Sequence, residues 1–166
     1  MTTENQKPIS IGVYKIIYPD INSHDIIRFD FYFGTNLPAN HLNSELVQTL
    51  QVPSRLKRLF PKSSEIQQIG YIKYAATRDK LASSTYYYPL NYFPIERGFG
   101  LGSLLELLAV HNLKKMGIRY VKTTAEASKS RRGQVKKMGF GIEGAYKIDD
   151  WKKGVGKAIR TARHFR

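Results

Sequence analysis

The sequence predicts an α+β fold, on three observations. Strand-type alternation runs through the N-terminal half and is clearest over residues 24–33 (HDIIRFDFYF): Ile27, Phe29, Phe31 and Phe33 fall on one side, Arg28, Asp30 and Tyr32 on the other. One long helical pattern occupies residues 103–116 (SLLELLAVHNLKKM). Around that helix the order reads strand, glycine-rich turn, helix, strand, helix, strand.

The elements follow in chain order. Residues 1–8 read as a loose tail. Residues 9–18 (ISIGVYKIIY) are rich in β-branched side chains and predict a strand that ends at Pro19. The alternating stretch 24–33 predicts a second strand, with a short helix after an Asn22-Ser23 cap as the competing reading. A loop with Pro38 spans 34–43. Residues 44–50 (SELVQTL) and 54–60 (SRLKRLF) read as two short helices broken at Pro53. Residues 66–76 and 83–93 read as strands, and Pro89 inside the second marks an edge, a bulge or a splay, because a central strand cannot spare the N–H. In the long helix Leu104, Leu105, Leu107, Leu108, Val110 and Leu113 form a wide apolar face. Ser103 opens it and Gly117 closes it, and Lys114 and Lys115 suit the negative end of its dipole. Residues 118–124 predict a strand, 129–138 a short basic helix stopped at Gly139, and 140–148 a last strand. No repeat or linker interrupts this order. The expected organisation is one domain over 9–151 followed by a basic tail over 152–166.

The chain has 166 residues, of which 42% are hydrophobic and 12% aromatic, enough for a single folded domain with a real core. No apolar run reaches the ~18 residues that a membrane span needs. There is no cysteine, which excludes disulfides, thiolate metal sites and thiol nucleophiles. With a polar N-terminus that lacks a signal-peptide core, this fits a cytoplasmic location without a membrane partner. His24, His41, His111 and His164 lack metal-ligand spacing, so no metal site is expected. His111 reads as a packed or surface residue of the long helix.

Charge is the unusual feature. Lys plus Arg number 27 against 13 acids, a formal net charge of +14. Such a bias implies an anionic partner: nucleic acid, a phosphorylated ligand or an acidic surface.

The stretch ERGFGLGS, residues 96–103, places Gly98, Gly100 and Gly102 at the mouth of the Leu-rich helix. Glycine destabilises such a position unless its bare backbone is needed. The first amides of a helix lack partners within it, and the dipole there favours negative charge. Glycines let a phosphate oxygen approach those amides without meeting a β-carbon. Residues 97–103 are therefore a candidate phosphate or pyrophosphate cradle; a tight turn that seats a helix on a sheet is the alternative. The stretch lacks the Gly-Lys-Ser/Thr of a Walker loop and the spacing of a dinucleotide fingerprint.

The pattern Pro94-x-x-Arg97-Gly98-x-Gly100-x-Gly102, between an aromatic strand and a Leu-rich helix, resembles the acyl-CoA loop of the GNAT acetyltransferase superfamily, written R/Q-x-x-G-x-G/A. Lys137-Met138-Gly139-Phe140 resembles the family's second signature, a short helix ending in Gly-Phe before a strand. The resemblance covers about residues 84–148. It implies a mixed, mostly antiparallel central sheet flanked by helices, with two splayed strands forming a slot for CoA. It implies an N-acyltransferase that moves an acetyl or other acyl group from acetyl-CoA, or another acyl-CoA, to an amine. By match, Tyr92 and Phe93 would pair with the pantetheine arm. Arg97, Gly98, Phe99, Gly100, Leu101, Gly102 and Ser103 would hold the pyrophosphate through their amides. Lys129, Arg131 and Arg132 are candidates for the 3′-phosphate.

The acid and base depart from the family pattern. Its frequent thiolate-protonating Tyr is replaced by Val135, a frequent Asn by Ser128 and a frequent helix Ala by Arg131. Ser128 can still donate a hydrogen bond. Tyr88, with Tyr86 and Tyr87, lies on the strand entering the slot and is the candidate acid. Glu126, at the end of the following strand, is the best-placed base, with a solvated surface role as its alternative.

Residues 114–137 carry nine basic residues and one acid, more than CoA needs, and residues 152–166 carry six and no acid. Lys157, Arg160 and Arg163 would share one helical face. Such an arm suits phosphate tracking; a solvated, frayed terminus is the other reading. The alternative function is thus a GNAT-like protein that acts on or binds tRNA, the ribosome or DNA through its basic surface. The acceptor amine is not specified, and the oligomeric state stays open, a dimer included.

Overall fold

The computed structural model describes residues 8–19, 24–53, 66–77, 82–87, 101–123, 129–141 and 144–161. Over these the chain is α+β. Six strands, β1 (Ser10–Pro19), β2 (His24–Gly34), β3 (Asn40–His41), β4 (Ser44–Gln51), β5 (Gln67–Thr77) and β6 (Ala82–Tyr87), form one antiparallel sheet in the order β3-β4-β1-β2-β5-β6. Helix α1 (Leu101–Lys115) leads into β7 (Tyr120–Thr123), α2 (Lys129–Lys137), β8 (Gly144–Lys147) and α3 (Ile148–Thr161). β7 and β8 pair antiparallel as a separate two-stranded ribbon.

Alternation in β1 and β2 fixes which face of the large sheet is apolar. Ile11 stands opposite Phe33, Val13 opposite Phe31, and Phe29 opposite Ile72 of β5. All six are buried, and they join Leu105, Leu108, Leu113, Trp151 and Val155 of α1 and α3 in one core. α1 closes at Gly117, whose φ of 85° continues the left-handed helix terminus, and α2 closes the same way at Gly139, φ 90°.

Three expectations need correction. Residues 44–50, expected to be helical, form the strand β4. The hairpin that creates it turns at Leu42 and Asn43, both in the left-handed region (φ 47° and 64°), as a two-residue primed turn requires. Pairing along β1 then outweighs the weak helical preference of so short a segment. The helix α1 begins at Leu101, so Ser103 lies within its first turn rather than opening it. The supposed tail from Lys152 is the body of α3. Ile148, Trp151 and Val155 recur at helical spacing on its inner face and are buried against the core, so a boundary at 151 cuts a packed helix.

Gly154 lets α3 approach closely. A β-carbon there would lie 2.5 Å from the Phe140 ring and 3.2 Å from the Met138 carbonyl. Phe140 in turn stacks on Trp151 and packs at a tilt against Tyr146, with ring centroids 5.0 and 4.4 Å away, and Tyr146 also stacks on Trp151.

Candidate functional site

The predicted acyl-CoA region is built where β6 leads towards α1 and α1 leads to β7. β6 and β7 are spatial neighbours. Among the described residues no backbone ladder joins them: β6 closes the six-stranded sheet and β7 belongs to the ribbon.

Of the predicted cradle, residues 101–103 are described, as the first turn of α1. That turn holds no carboxylate. Leu101 points into the core, only 3% exposed, so it can meet a ligand through its amide alone. Ser103 is buried, and its Oγ accepts a 2.6 Å hydrogen bond from Gln134 Nε2 of α2. Tyr88, Tyr92, Phe93, Arg97, Gly98, Phe99, Gly100, Glu126 and Ser128 lie outside the described residues, as do residues 54–60.

The three cations predicted for the 3′-phosphate separate. Lys129 and Arg132 are exposed on α2. Arg131 is turned inward, its side chain 12% exposed. It donates through Nη1 to Glu106 Oε2 at 2.7 Å and through Nη2 to Oε1 at 2.5 Å, and its guanidinium lies 5.6 Å from the Trp151 ring centroid. A planar fork held by both carboxylate oxygens is committed to the fold, which corrects its assignment to the ligand. Val135, at the family's usual tyrosine position, is buried in the core.

Sequence reasoning missed Glu106, Gln134 and Trp151. Glu106 is 2% exposed and also accepts a 3.1 Å bond from Trp151 Nε1. Arg131 Nη1 donates to Gln134 Oε1 at 3.0 Å as well. One polar network therefore ties the start of α1 to α2 and α3. Its signal was present: Ser103, Glu106, Val110 and Leu113 share one helical stripe, and an acid in such a stripe needs a buried partner. Asn112, likewise buried, donates to Gln48 Oε1 of β4 at 2.7 Å and to the Leu108 carbonyl at 2.8 Å, fixing α1 to the sheet.

No family model, curated protein or solved structure matches this chain.

A second polar group lies on the other face of the large sheet. Asp30, buried at 5% exposure, accepts from Arg28 Nε at 2.8 Å and Gln68 Nε2 at 3.2 Å. Burial pushes its carboxyl above the usual range, against the pull of Arg28, His41 and Lys73. Beside it His41 packs on Tyr32 and Tyr14, and the Tyr14 hydroxyl, raised by burial and then by Tyr32, donates to the Pro38 carbonyl at 2.7 Å. The Tyr14–Pro38 bond and the His41 ring contacts hold the 34–41 segment onto the sheet, whereas the Asp30 contacts lie within β2 and between β2 and β5.

Among the described residues no group of three or more His, Asp or Glu is placed to hold a metal, and no helix is long and apolar enough to cross a membrane.

Proposed function

We propose that this protein is an acyl-CoA-dependent N-acyltransferase. The observation that carries the reading is the strand pair β6 and β7, adjacent in space yet in separate sheets, with α1 between them in the chain and the glycine run immediately before α1. An extended pantetheine arm needs such an opening, because it pairs with strand backbone that a neighbouring strand would otherwise occupy.

The first turn of α1 suits the cofactor's diphosphate. It combines leading amides, a positive dipole end, a glycine and no carboxylate. Exposed Lys129 and Arg132 remain the candidates for the 3′-phosphate. In the reaction the acceptor nitrogen attacks the thioester carbonyl, the C–S bond breaks, the amine loses a proton and the CoA thiolate gains one. Glu126 is proposed as the base and Tyr88 or Ser128 as the proton donor. Backbone N–H groups of the slot would stabilise the oxyanion.

The test is calorimetric titration with acetyl-CoA. Binding is expected in the wild type and is expected to be lost in Gly100→Asp, where a carboxylate would meet the diphosphate. An unchanged affinity in that variant would overturn the reading.

A further inference from the structure

The groove between the end of α1, the β7–β8 ribbon and the start of α3 has a volume of about 440 Å³ and is lined by Lys114, Arg119, Tyr120, Lys147 and Asp149, among others. We propose that this groove binds the backbone of single-stranded nucleic acid, with Tyr120 as a stacking platform for a base.

Its floor is fixed by main chain. Ile148 N donates to the Arg119 carbonyl at 2.8 Å, and Ile118 N donates to Leu113 O at 3.1 Å. Tyr120 and Lys147 are register partners in the ribbon, so their side chains share one face. That face points outward: Tyr120 is 38% exposed and Lys147 is exposed. The opposite face, with Val121 and Tyr146, supplies the core contacts. An exposed ring fixed in a strand between cations is what base stacking beside phosphates uses.

Three of the lining residues, Lys114, Arg119 and Lys147, are cationic, and further cations flank the lining along α1 and α3. Lys114 and Lys115 end α1, Lys152 and Lys153 lie in the first turns of α3, and Arg119 and Lys147 lie between them. Two carboxylates, Asp149 and Asp150, oppose these six cations. Lys114 is paired with Asp149 at 2.5 Å; among the described residues the other five form no ion pair. The two sides are close enough to act on the same groups. Burial first, then Lys115, Lys152 and Lys114, holds the His111 imidazole below its usual value, while the hydrogen bond from Lys114, with Lys152 and Lys153, lowers the Asp149 carboxyl. Cations held together in this way are relieved by a polyanion, and an open groove admits a strand better than it encloses a small ligand. Duplex DNA offers no unstacked base to Tyr120, so single strands are favoured.

This inference is independent of the acyltransferase reading, and acetyl-CoA titration does not report on it. The experiment is fluorescence anisotropy of the full chain with fluorescein-labelled U20, dT20 and a 20-bp duplex in rising KCl. With about four phosphates contacted, a fourfold rise in salt should weaken single-strand binding about 50-fold. Arg119→Glu with Lys147→Glu should weaken it at least about tenfold, and Tyr120→Ala about fivefold or more, while Tyr120→Phe retains binding. The same charge change on the large sheet, Lys15→Glu with Lys73→Glu, should stay within about twofold of wild type; circular dichroism confirms folding. Absence of binding at low salt would overturn the proposal. So would equal losses from the two charge-reversed pairs, or a Tyr120→Ala protein that binds single strands like wild type.

Discussion

Removing the Arg131 guanidinium tests the network that joins the three helices. Glu106 has a side chain 3% exposed and receives three donors: two from Arg131 and one from Trp151 Nε1. Arg131→Ala leaves it one. Breaking a buried pair from one side costs about 3–5 kcal/mol, because the remaining charge is neither hydrated nor compensated. The lost contact of the guanidinium with the Trp151 face adds about 0.5–1 kcal/mol. For a domain of this length that is a fall in Tm of about 8–16 °C. Arg131→Lys keeps the charge but not the fork and should lose about half as much. The double variant Glu106→Leu with Arg131→Met removes both charges at similar volume and should return to within about 2 kcal/mol of wild type. Urea unfolding read by the fluorescence of Trp151, the one tryptophan of the chain, measures each variant. A loss below about 1 kcal/mol in Arg131→Ala, or a double variant as unstable as the two single losses added, would refute the reasoning.

Gly154→Ala gains helix propensity but drives a methyl into Phe140 and the Met138 carbonyl, so a net loss of about 1–2 kcal/mol is expected in the same urea assay. Leu42→Asn with Asn43→Gly places preferred residues at two left-handed turn positions and should raise stability by about 0.5–1 kcal/mol in thermal unfolding. His111 has a folded pKa below its ordinary 6.5, from burial and then Lys115, Lys152 and Lys114. The unfolded chain therefore takes up the proton more readily. Its contribution is fully present above about 6.5 and is lost as pH falls from there through the folded value. His111→Gln should flatten that part of the Tm-against-pH curve, and an unchanged slope would count against the assignment.

Strong periodicity was legible in the sequence. The alternation at Ile27, Phe29, Phe31 and Phe33 gave β2 its face, and the leucines with Gly117 gave α1 and its end. β4 was not legible, because Leu42 and Asn43 carry little turn signal and the strand exists through its pairing with β1. α3 was obscured by charge: six cations in residues 152–166 masked the helical spacing of Ile148, Trp151 and Val155. In the candidate site, composition identified the glycines and cations as types. It did not reveal which cation turns inward, since Arg131 is distinguished from Arg132 only by the carboxylate that α1 presents to it. The stripe containing Glu106 held that information in part.

The division of the strands into a large sheet and a ribbon has a mechanical consequence. Among the described residues no ladder joins β6 to β7, although the two strands are neighbours in space. Elsewhere the strands resist separation through whole ladders. Main-chain ladders among the described residues thus stop on either side of one line, while the Glu106–Arg131–Trp151 network ties α1, α2 and α3 to one another through side chains.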